Sequence, residues 1–203
     1  MSRYCSQCGK SLKACICQWV QSLPSNVELI ILQHPSETKR PMGTARILTL
    51  CLSNSYSFVG ENFSDNESLN QLLADKTYQH FVLYPGEQSI ELETLRNRQS
   101  DQVSRYRVIL LDGTWKKAFK MWQLSTNLHT LPQVRLPNDL KGNYRIRKAP
   151  SDNALSTVEA GYHVLQGLEP ERDFSPLLVA FEQMIEFQIA QMPAGVFEKN
   201  YRS

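Results

Sequence analysis

The stretch VILLDGTW, residues 108–115, decides the fold class of this chain of 203 residues. Its four consecutive apolar residues show no polar alternation, which is typical of a short strand buried on both faces. Asp112 and Gly113 end that strand at a turn. Thr114 is a residue type that caps helices, and the apolar residues after it follow helical spacing. This order of strand, turn and helix indicates an α/β fold.

The same alternation continues on both sides of this stretch. We expect strands at 27–32, 56–59, 81–83 and 108–111, a broken strand-like piece at 128–136, and helices at 45–51, 69–73, 114–122, 156–168 and 176–191. Short strands that alternate with helices predict a mostly parallel sheet with flanking helices. Three of the strands end in polar loops, which begin at His34, Tyr84 and Asp112. Because ligands bind beyond the carboxyl ends of such strands, we expect the three loops to form one crevice.

Composition bounds the class of protein. The chain is 41% hydrophobic and 21% charged, as ordinary globular proteins are. Its first residues are polar and rich in cysteine, unlike a secretory leader, and no apolar run approaches the roughly 18 residues of a membrane span. We therefore expect a cytoplasmic protein without a membrane partner. Nothing in the sequence indicates a stable protein partner.

Positive charge is concentrated in residues 105–148. This segment carries two acidic side chains, Asp112 and Asp139, against ten basic ones: Arg105, Arg107, Lys116, Lys117, Lys120, Arg135, Lys141, Arg145, Arg147 and Lys148. A basic block beside a candidate active loop favours a polyanionic substrate such as nucleic acid. The alternative is a solvated surface. On the helix after Asp112, we expect one face to be apolar and the lysines to lie opposite it; the apolar face comprises Trp115, Ala118, Phe119 and Trp122.

Four cysteines crowd into thirteen residues with the spacing Cys-x2-Cys-x6-Cys-x-Cys: Cys5, Cys8, Cys15 and Cys17. In a reducing compartment such a cluster favours a metal site, and four thiolates suit zinc, with iron as the lesser possibility. Gly9 permits the tight turn of a zinc knuckle. A closed shell of four ligands predicts a structural site. We assign residues 1–24 to this knuckle and residues 25–203 to the main domain, where Cys51 is expected to be a buried apolar residue.

Two motifs have both a structural and a functional interpretation. Asp112 at the end of a buried strand exposes a carboxylate that a dry pocket would turn into a base by raising its pKa. Alternatively, Asp112 or Thr114 is a helix N-cap and Trp115 a core residue. Ser156 and Glu159 have the spacing of a capping box, which does not prevent them from serving a substrate at the helix N-terminus.

Taken together, these motifs resemble the DTW-domain family. The resemblance rests on the cysteine quartet and on six further blocks in order: His-Pro-Ser-Glu at 34–37, Thr-Ala-Arg-Ile-Leu at 44–48, Tyr-Pro-Gly at 84–86, Asp-Gly-Thr-Trp at 112–115, Tyr-Arg-Ile-Arg at 144–147 and Ser-Thr-Val-Glu-Ala at 156–160. The chain departs from the family at Gly43, where members often have asparagine. Members of the family are related in fold to the knotted SPOUT methyltransferases, so the resemblance implies a SPOUT-like, knotted α/β domain.

The resemblance also implies an activity, that of a tRNA-uridine aminocarboxypropyltransferase. Such an enzyme moves the 3-amino-3-carboxypropyl group of S-adenosylmethionine to N3 of a tRNA uridine, here expected at position 47 in the variable loop. We assign Asp112 as catalytic, either as the base for N3 or as the anchor of the donor's amino group. The residues assigned to S-adenosylmethionine are Tyr84, Pro85, Gly86, Leu110, Arg147, Ser156 and Thr157. Those assigned to tRNA are Thr114, Trp115, Arg46, Lys116, Lys117, Lys120, Arg145 and Glu159.

Two other functions remain open at the level of sequence. The first is a SPOUT-type RNA methyltransferase that uses the same donor but transfers its methyl group. The second is a non-enzymatic RNA-binding module built on the zinc knuckle. Product mass separates the first from an aminocarboxypropyltransferase, and binding of S-adenosylmethionine separates the second.

Overall fold

A parallel sheet forms the centre of the computed structural model, which describes residues 3–99, 105–140, 142–143 and 155–201. Its strands in these ranges are β1 Glu28–Gln33, β2 Ser55–Val59, β3 Tyr78–Leu83, β4 Ile90–Glu91, β5 Arg105–Asp112 and β6 Gln133–Arg135. They form one sheet in the order β2-β1-β5-β3-β6-β4. Each neighbouring pair is parallel. The α/β fold and parallel sheet expected from the sequence are confirmed.

Helices flank this sheet. They are α1 Ala45–Cys51, α2 Glu67–Ala74, α3 Leu92–Gln99, α4 Trp115–Leu124, α5 Thr157–Leu168, α6 Ser175–Ala190 and α7 Val196–Tyr201. The sequence pattern identified α1, α2, α4, α5 and α6, but missed β4, α3 and α7. Strand β4 has two residues, α3 is mostly polar and α7 has six residues, so none of them gives a clear periodic pattern in the sequence. Among the described helices, none combines the length and the apolar character that crossing a membrane requires.

The central strands are buried on both faces, and β1 shows why. Leu29 and Ile31 lie in one core cluster with residues of α1, α5 and α6. Ile30 and Leu32 point the other way, into a second cluster with Leu69 of α2 and other residues. All four are fully buried, as the unbroken apolar run predicted. The two clusters fix the sheet between its helical layers.

The close approach of α5 to α1 positions the start of α5. A side-chain carbon added to Gly161 would lie 2.7 Å from Cδ2 of Leu48, so glycine lets the two helices pack at this distance. The N-terminus of α5 is thereby held against the carboxyl end of β5, where Thr157 reaches Asp112. A larger residue at position 161 would push this end of α5 away.

The cysteine segment packs on the main body. Cys8 and Ile16 are buried in the same core cluster as Leu29 and Ile31 of β1. Two basic side chains join the segment to its neighbours: Lys10 Nζ donates to the Pro41 carbonyl oxygen at 2.5 Å, and an Arg46 guanidinium N–H donates to the carbonyl oxygen of Gln7. The segment therefore lies beside α1 and the loop after β1.

Candidate active site

A cleft of about 660 Å³ opens at the carboxyl ends of the strands. The central order β1-β5-β3 brings three loops to this edge, and they contribute Glu37, Asp112 and Tyr84 to its lining. The crevice predicted from the loops is confirmed. Apolar side chains such as Leu110 and Val134 share the lining with hydroxyl-bearing residues of α5. Such a mixed surface suits a ligand with an apolar body and a few polar groups.

Asp112 is buried in this cleft, with 8% of its surface exposed. The Gln33 amide nitrogen donates to its Oδ2 at 2.7 Å, and the Thr157 hydroxyl donates to its Oδ1. Gln33 is its register partner on the adjacent strand, which explains the first contact. The N-cap of α4 is Thr114, so capping does not use the Asp112 carboxylate. Both carboxylate oxygens are instead held in a fixed orientation within the cleft.

Most of the residues assigned to the donor line the cleft. Tyr84, Pro85 and Leu110 line the cleft. Tyr84 stacks on Trp122 with ring centroids 4.9 Å apart, and burial raises the pKa of its phenol, which therefore stays protonated at neutral pH. Gly86 lies outside the lining; a side chain there would overlap the amide of Gln133.

The N-terminus of α5 forms one wall of the cleft. Ser156 and Thr157 line it, and Ser156 forms the capping box that the sequence predicted. Glu159 closes that box: its Oε2 accepts from the Ser156 amide at 2.7 Å and its Oε1 accepts from the Asn143 amide at 2.5 Å. Glu159 is buried and does not line the cleft, so its contacts are those of a structural residue.

The apolar face predicted for α4 is only partly buried. Trp115 and Phe119 on that face are 55% and 50% exposed, so the alternative interpretation of Trp115 as a core residue was wrong. The buried residues of α4 are Ala118 and Met121. Met121 packs into the second core cluster with residues of β1, while the two aromatic rings are turned outward. Trp115 stands at the mouth of the cleft, beside Thr114 in its lining.

The lysines of α4 differ in their surroundings. Lys117 Nζ lies 2.8 Å from Glu37 Oε1, and Lys120 Nζ lies 2.7 Å from Glu61 Oε2. Hydrogen bonds from Lys120 and His34 lower the pKa of Glu61, so this carboxylate is charged at neutral pH. Lys116 is exposed and forms no ion pair with a residue that the structure describes. Two of the three predicted phosphate ligands therefore already form ion pairs within the protein.

Of the three assigned arginines, Arg46 lies in the described part of the chain. Arg46 is exposed and bound to the cysteine segment, and it lies outside the cleft lining. Arg145 and Arg147, like the rest of the Tyr-Arg-Ile-Arg block, fall outside the described residues. Two arginines that the sequence analysis did not assign, Arg40 and Arg135, line the cleft instead. The signal for Arg40 was its place in the polar loop after β1.

The four clustered cysteines converge as predicted. Their sulfur atoms all lie within 4.8 Å of one another, with 3.7 Å between Cys5 and Cys17 and 3.8 Å between Cys8 and Cys15. A tetrahedral zinc ion with Zn–S bonds of about 2.3 Å separates its sulfur ligands by about 3.8 Å. Gly9 turns the chain between the cysteine pairs with a φ of 72°. The arrangement fits a metal with four thiolate ligands.

The thiols of this cluster also have the chemistry of a metal site. Backbone hydrogen bonds at Cys8 and Gln7 lower the pKa of Cys5 to about 6. Burial and the neighbouring thiols raise the pKa of Cys17 to about 12. Crowded sulfurs resist carrying four negative charges together, and a divalent cation removes this repulsion.

Comparison with known proteins agrees with the motifs in and around the cleft. The model of the DTW domain matches residues 2–189, nearly the whole chain. The chain belongs to the DTW-domain family. The match includes the cysteine segment as well as the Asp112 strand end.

Several relatives of this DTW protein have named activities. It is 33% identical over 181 residues to tRNA-uridine aminocarboxypropyltransferase 2 of Drosophila melanogaster, across 86% of this chain and 70% of the relative. It is 28% identical to tRNA-uridine aminocarboxypropyltransferase 2 of Mus musculus, across 91% of this chain and 63% of the relative. It is 25% identical to tRNA-uridine aminocarboxypropyltransferase A of Arabidopsis thaliana, across 91% and 80%.

Proposed function

We propose that this DTW protein is a tRNA-uridine aminocarboxypropyltransferase. It transfers the 3-amino-3-carboxypropyl group of S-adenosylmethionine to N3 of a tRNA uridine, and the resemblance suggests position 47 of the variable loop. The observation that carries this proposal is the buried Asp112 carboxylate, which accepts hydrogen bonds from Gln33 and Thr157 in the main cleft. The names of the relatives support the reaction class.

The cleft has the features that the donor requires. Leu110 and the Tyr84 ring offer apolar surface for an adenine, and the hydroxyls of Ser156 and Thr157 offer polar contacts for its amino-acid end. The N-terminus of α5 favours a carboxylate through the positive end of the helix dipole. Arg40, which lines the same cleft, carries a guanidinium that can bind a carboxylate through two hydrogen bonds. When bound, the donor supplies an electrophilic γ-carbon next to its sulfonium.

The acceptor needs a base and a platform. Uridine N3 becomes a good nucleophile when it loses its proton, and Asp112 is the carboxylate placed to take it. As the bond from N3 to the γ-carbon forms, the bond from that carbon to sulfur breaks and methylthioadenosine leaves. Trp115 at the mouth of the cleft offers an exposed ring on which the uridine or its neighbour can stack.

The experiment that tests this proposal is mass analysis of nucleosides from tRNA incubated with the protein and S-adenosylmethionine. We expect a uridine that gains the mass of the aminocarboxypropyl group, with methylthioadenosine released in equal amount. A gain of one methyl group would contradict the proposal and favour a methyltransferase. Binding of tRNA without binding of the donor would favour a non-enzymatic module. Fragment mapping of the modified tRNA then tests position 47.

We also propose that the cysteine cluster binds zinc as a structural ion. Support comes from the sulfur spacing, which matches a tetrahedral zinc site, and from the absence of an open ligand position in a four-thiolate shell. Metal analysis of the purified protein should find one zinc per chain rather than iron. Replacing Cys15 by serine should weaken folding or tRNA binding more than affinity for S-adenosylmethionine. The reverse order would argue against a structural role.

Three further parts of the proposal concern the whole chain. Residues 1–24 form the metal-stabilised knuckle and residues 25–203 the catalytic domain. The catalytic domain is SPOUT-like and knotted, a proposal supported by the family resemblance and by a parallel sheet with helices on both faces. The protein works in the cytoplasm, where thiols stay reduced and tRNA is present. An experimental structure that traces the chain through residues 141–157 would test the knot.

A further inference from the structure

A second concavity adjoins the main cleft. Its volume is about 1070 Å³, and it lies between the cysteine segment, the loop after β1 and the start of α1. Glu37, Arg40 and Gly43 line both concavities, so the two meet across the loop after β1. We call this second concavity the knuckle groove. Its opening beside the cleft makes it a path for a ligand longer than the cleft itself.

The knuckle groove is strongly basic. Among its lining residues Glu37 is the acidic side chain, against five basic ones: Lys10, Lys13, Lys39, Arg40 and Arg46. Arg40 Nε and Lys117 Nζ both contact the Glu37 carboxylate, at 2.9 and 2.8 Å, so one carboxylate serves two cations. The pairing leaves one positive charge uncompensated within this trio.

The remaining cations of the groove keep their charge for a ligand. Lys13 and Lys39 are exposed, and neither forms an ion pair with a residue in the described part of the chain. Arg46 donates to the carbonyl oxygen of Gln7, which is a neutral partner. The knuckle groove therefore differs from α4, where Lys117 and Lys120 each form an ion pair with a carboxylate.

We infer that the knuckle groove binds the phosphate backbone of the tRNA whose uridine enters the cleft. This inference rests on the proposed function, and it moves the main phosphate-binding surface from α4 to the opposite side of the loop after β1. Lysine and arginine side chains bind phosphates without reading sequence, which suits a surface that positions the tRNA. Tyr4, 64% exposed in the same groove, adds a ring for an unpaired base.

The test is a charge reversal in the groove with a matched control. The groove variant is Lys13→Glu/Lys39→Glu, and the control Lys76→Glu/Lys199→Glu changes the same net charge at exposed lysines elsewhere on the described surface. Binding of a pool of unmodified tRNA transcripts is measured against KCl concentration. We expect the groove variant to bind roughly tenfold or more weakly, with a salt slope reduced by about one to two. The control should bind like wild type.

Kinetics separate this inference from the proposed function. The groove variant should raise KM for tRNA and leave kcat and affinity for S-adenosylmethionine unchanged. Thermal unfolding curves should first show that both variants are folded. If the groove and control variants then bind tRNA equally well, the inference about the groove is wrong. The proposed function would still stand as long as the wild-type protein forms the aminocarboxypropyl product. Loss of tRNA binding by the groove variant, with no aminocarboxypropyl product from wild type, would support the groove and sink the proposed function. The inference about the groove would also be wrong if the groove variant lost binding to anionic phospholipid vesicles but bound tRNA like wild type.

Discussion

The two ends of the parallel sheet both bury a carboxylate, but they treat it differently. At the amino end, Glu28 on β1 faces its register partner Arg107 on β5, with 2.7 Å between Oε2 and Nε. Tyr78 donates its hydroxyl to Glu28 and lies with its ring 3.6 Å from the Arg107 guanidinium carbon. At the carboxyl end, Gln33 and Thr157 hold Asp112 through an amide and a hydroxyl.

The difference separates stability from function. At the amino end, Glu28 and Arg107 compensate each other's charge, and both side chains are buried. At the carboxyl end, the Gln33 amide and the Thr157 hydroxyl orient Asp112, and that end opens into the cleft. Changes at the amino end should therefore affect the free energy of unfolding, and changes at the carboxyl end should affect catalysis.

The largest expected effect is that of Asp112→Asn. Asparagine keeps the shape of the side chain but cannot take a proton, so product formation should fall roughly 10²- to 10⁴-fold with little change in thermal unfolding. Asp75→Asn, the same change near Arg107, should leave the rate close to wild type. If the Asp112 variant still binds S-adenosylmethionine, Asp112 is a base rather than an anchor. A rate near wild type would remove Asp112 from the mechanism.

Next in size is Arg107→Met, which leaves Glu28 buried without its cation. We expect the free energy of unfolding to fall by about 3–5 kcal/mol, measured by urea titration, while kcat per folded molecule stays near wild type. The double variant Glu28→Gln/Arg107→Met should regain part of the loss, because it removes the stranded charge. A single variant that unfolds like wild type but loses its activity would contradict the division between the two ends.

A smaller effect is expected for Thr157→Val. Valine removes one hydroxyl donor from Asp112, while Gln33 still holds the other oxygen. We expect kcat to fall by about tenfold, the equivalent of one hydrogen bond to a charged group. Thr157→Ser keeps the hydroxyl and should retain most of the rate. A loss in Thr157→Ser as large as that in Thr157→Val would mean that the hydroxyl contact with Asp112 does not account for the effect.

The smallest effect concerns His80 at the amino end. Burial lowers the pKa of His80, whose Nε2 contacts the Leu72 carbonyl oxygen at 2.9 Å, near Arg107 and Asp75. Unfolded histidine binds a proton near pH 6.5, whereas the folded form resists it, so the stability from neutral His80 is complete above about pH 6.5 and declines below it. Urea titrations of His80→Gln should show a shallower acid decline than wild type. An identical decline would exclude His80 as its source.

How far the sequence predicted these two ends depended on the type of pattern. Unbroken apolar runs marked β1 and β5, and their parallel arrangement brought the polar loops to one edge as expected. The contact between Gln33 and Asp112 required the register of the two strands, which no local pattern contains. The pairing of Lys117 with Glu37 likewise joins residues far apart in sequence.

The outward turn of two rings on α4 was not predicted. Helical spacing placed Trp115 and Phe119 on an apolar face, and Trp115 was assigned to tRNA with a core role as the alternative. In the structure, Met121 of α4 packs into the second core cluster, and Ala118 is buried in the lining of the cleft. Hydrophobicity alone does not distinguish an aromatic ring that packs in a core from one that is exposed at the mouth of a cleft.

One side chain, Glu159, has a consequence for how the family can diversify. Its two oxygens hold the amides of Asn143 and Ser156, which flank a segment of the chain that includes Arg145 and Arg147. The residues on either side of that segment, Asn143 and Ser156, are thus both hydrogen-bonded to the Glu159 carboxylate. We expect exchanges between these two points, outside the Tyr-Arg-Ile-Arg block, to leave the sheet and α5 in place. We therefore expect differences in tRNA choice among relatives to be concentrated in that part of the segment.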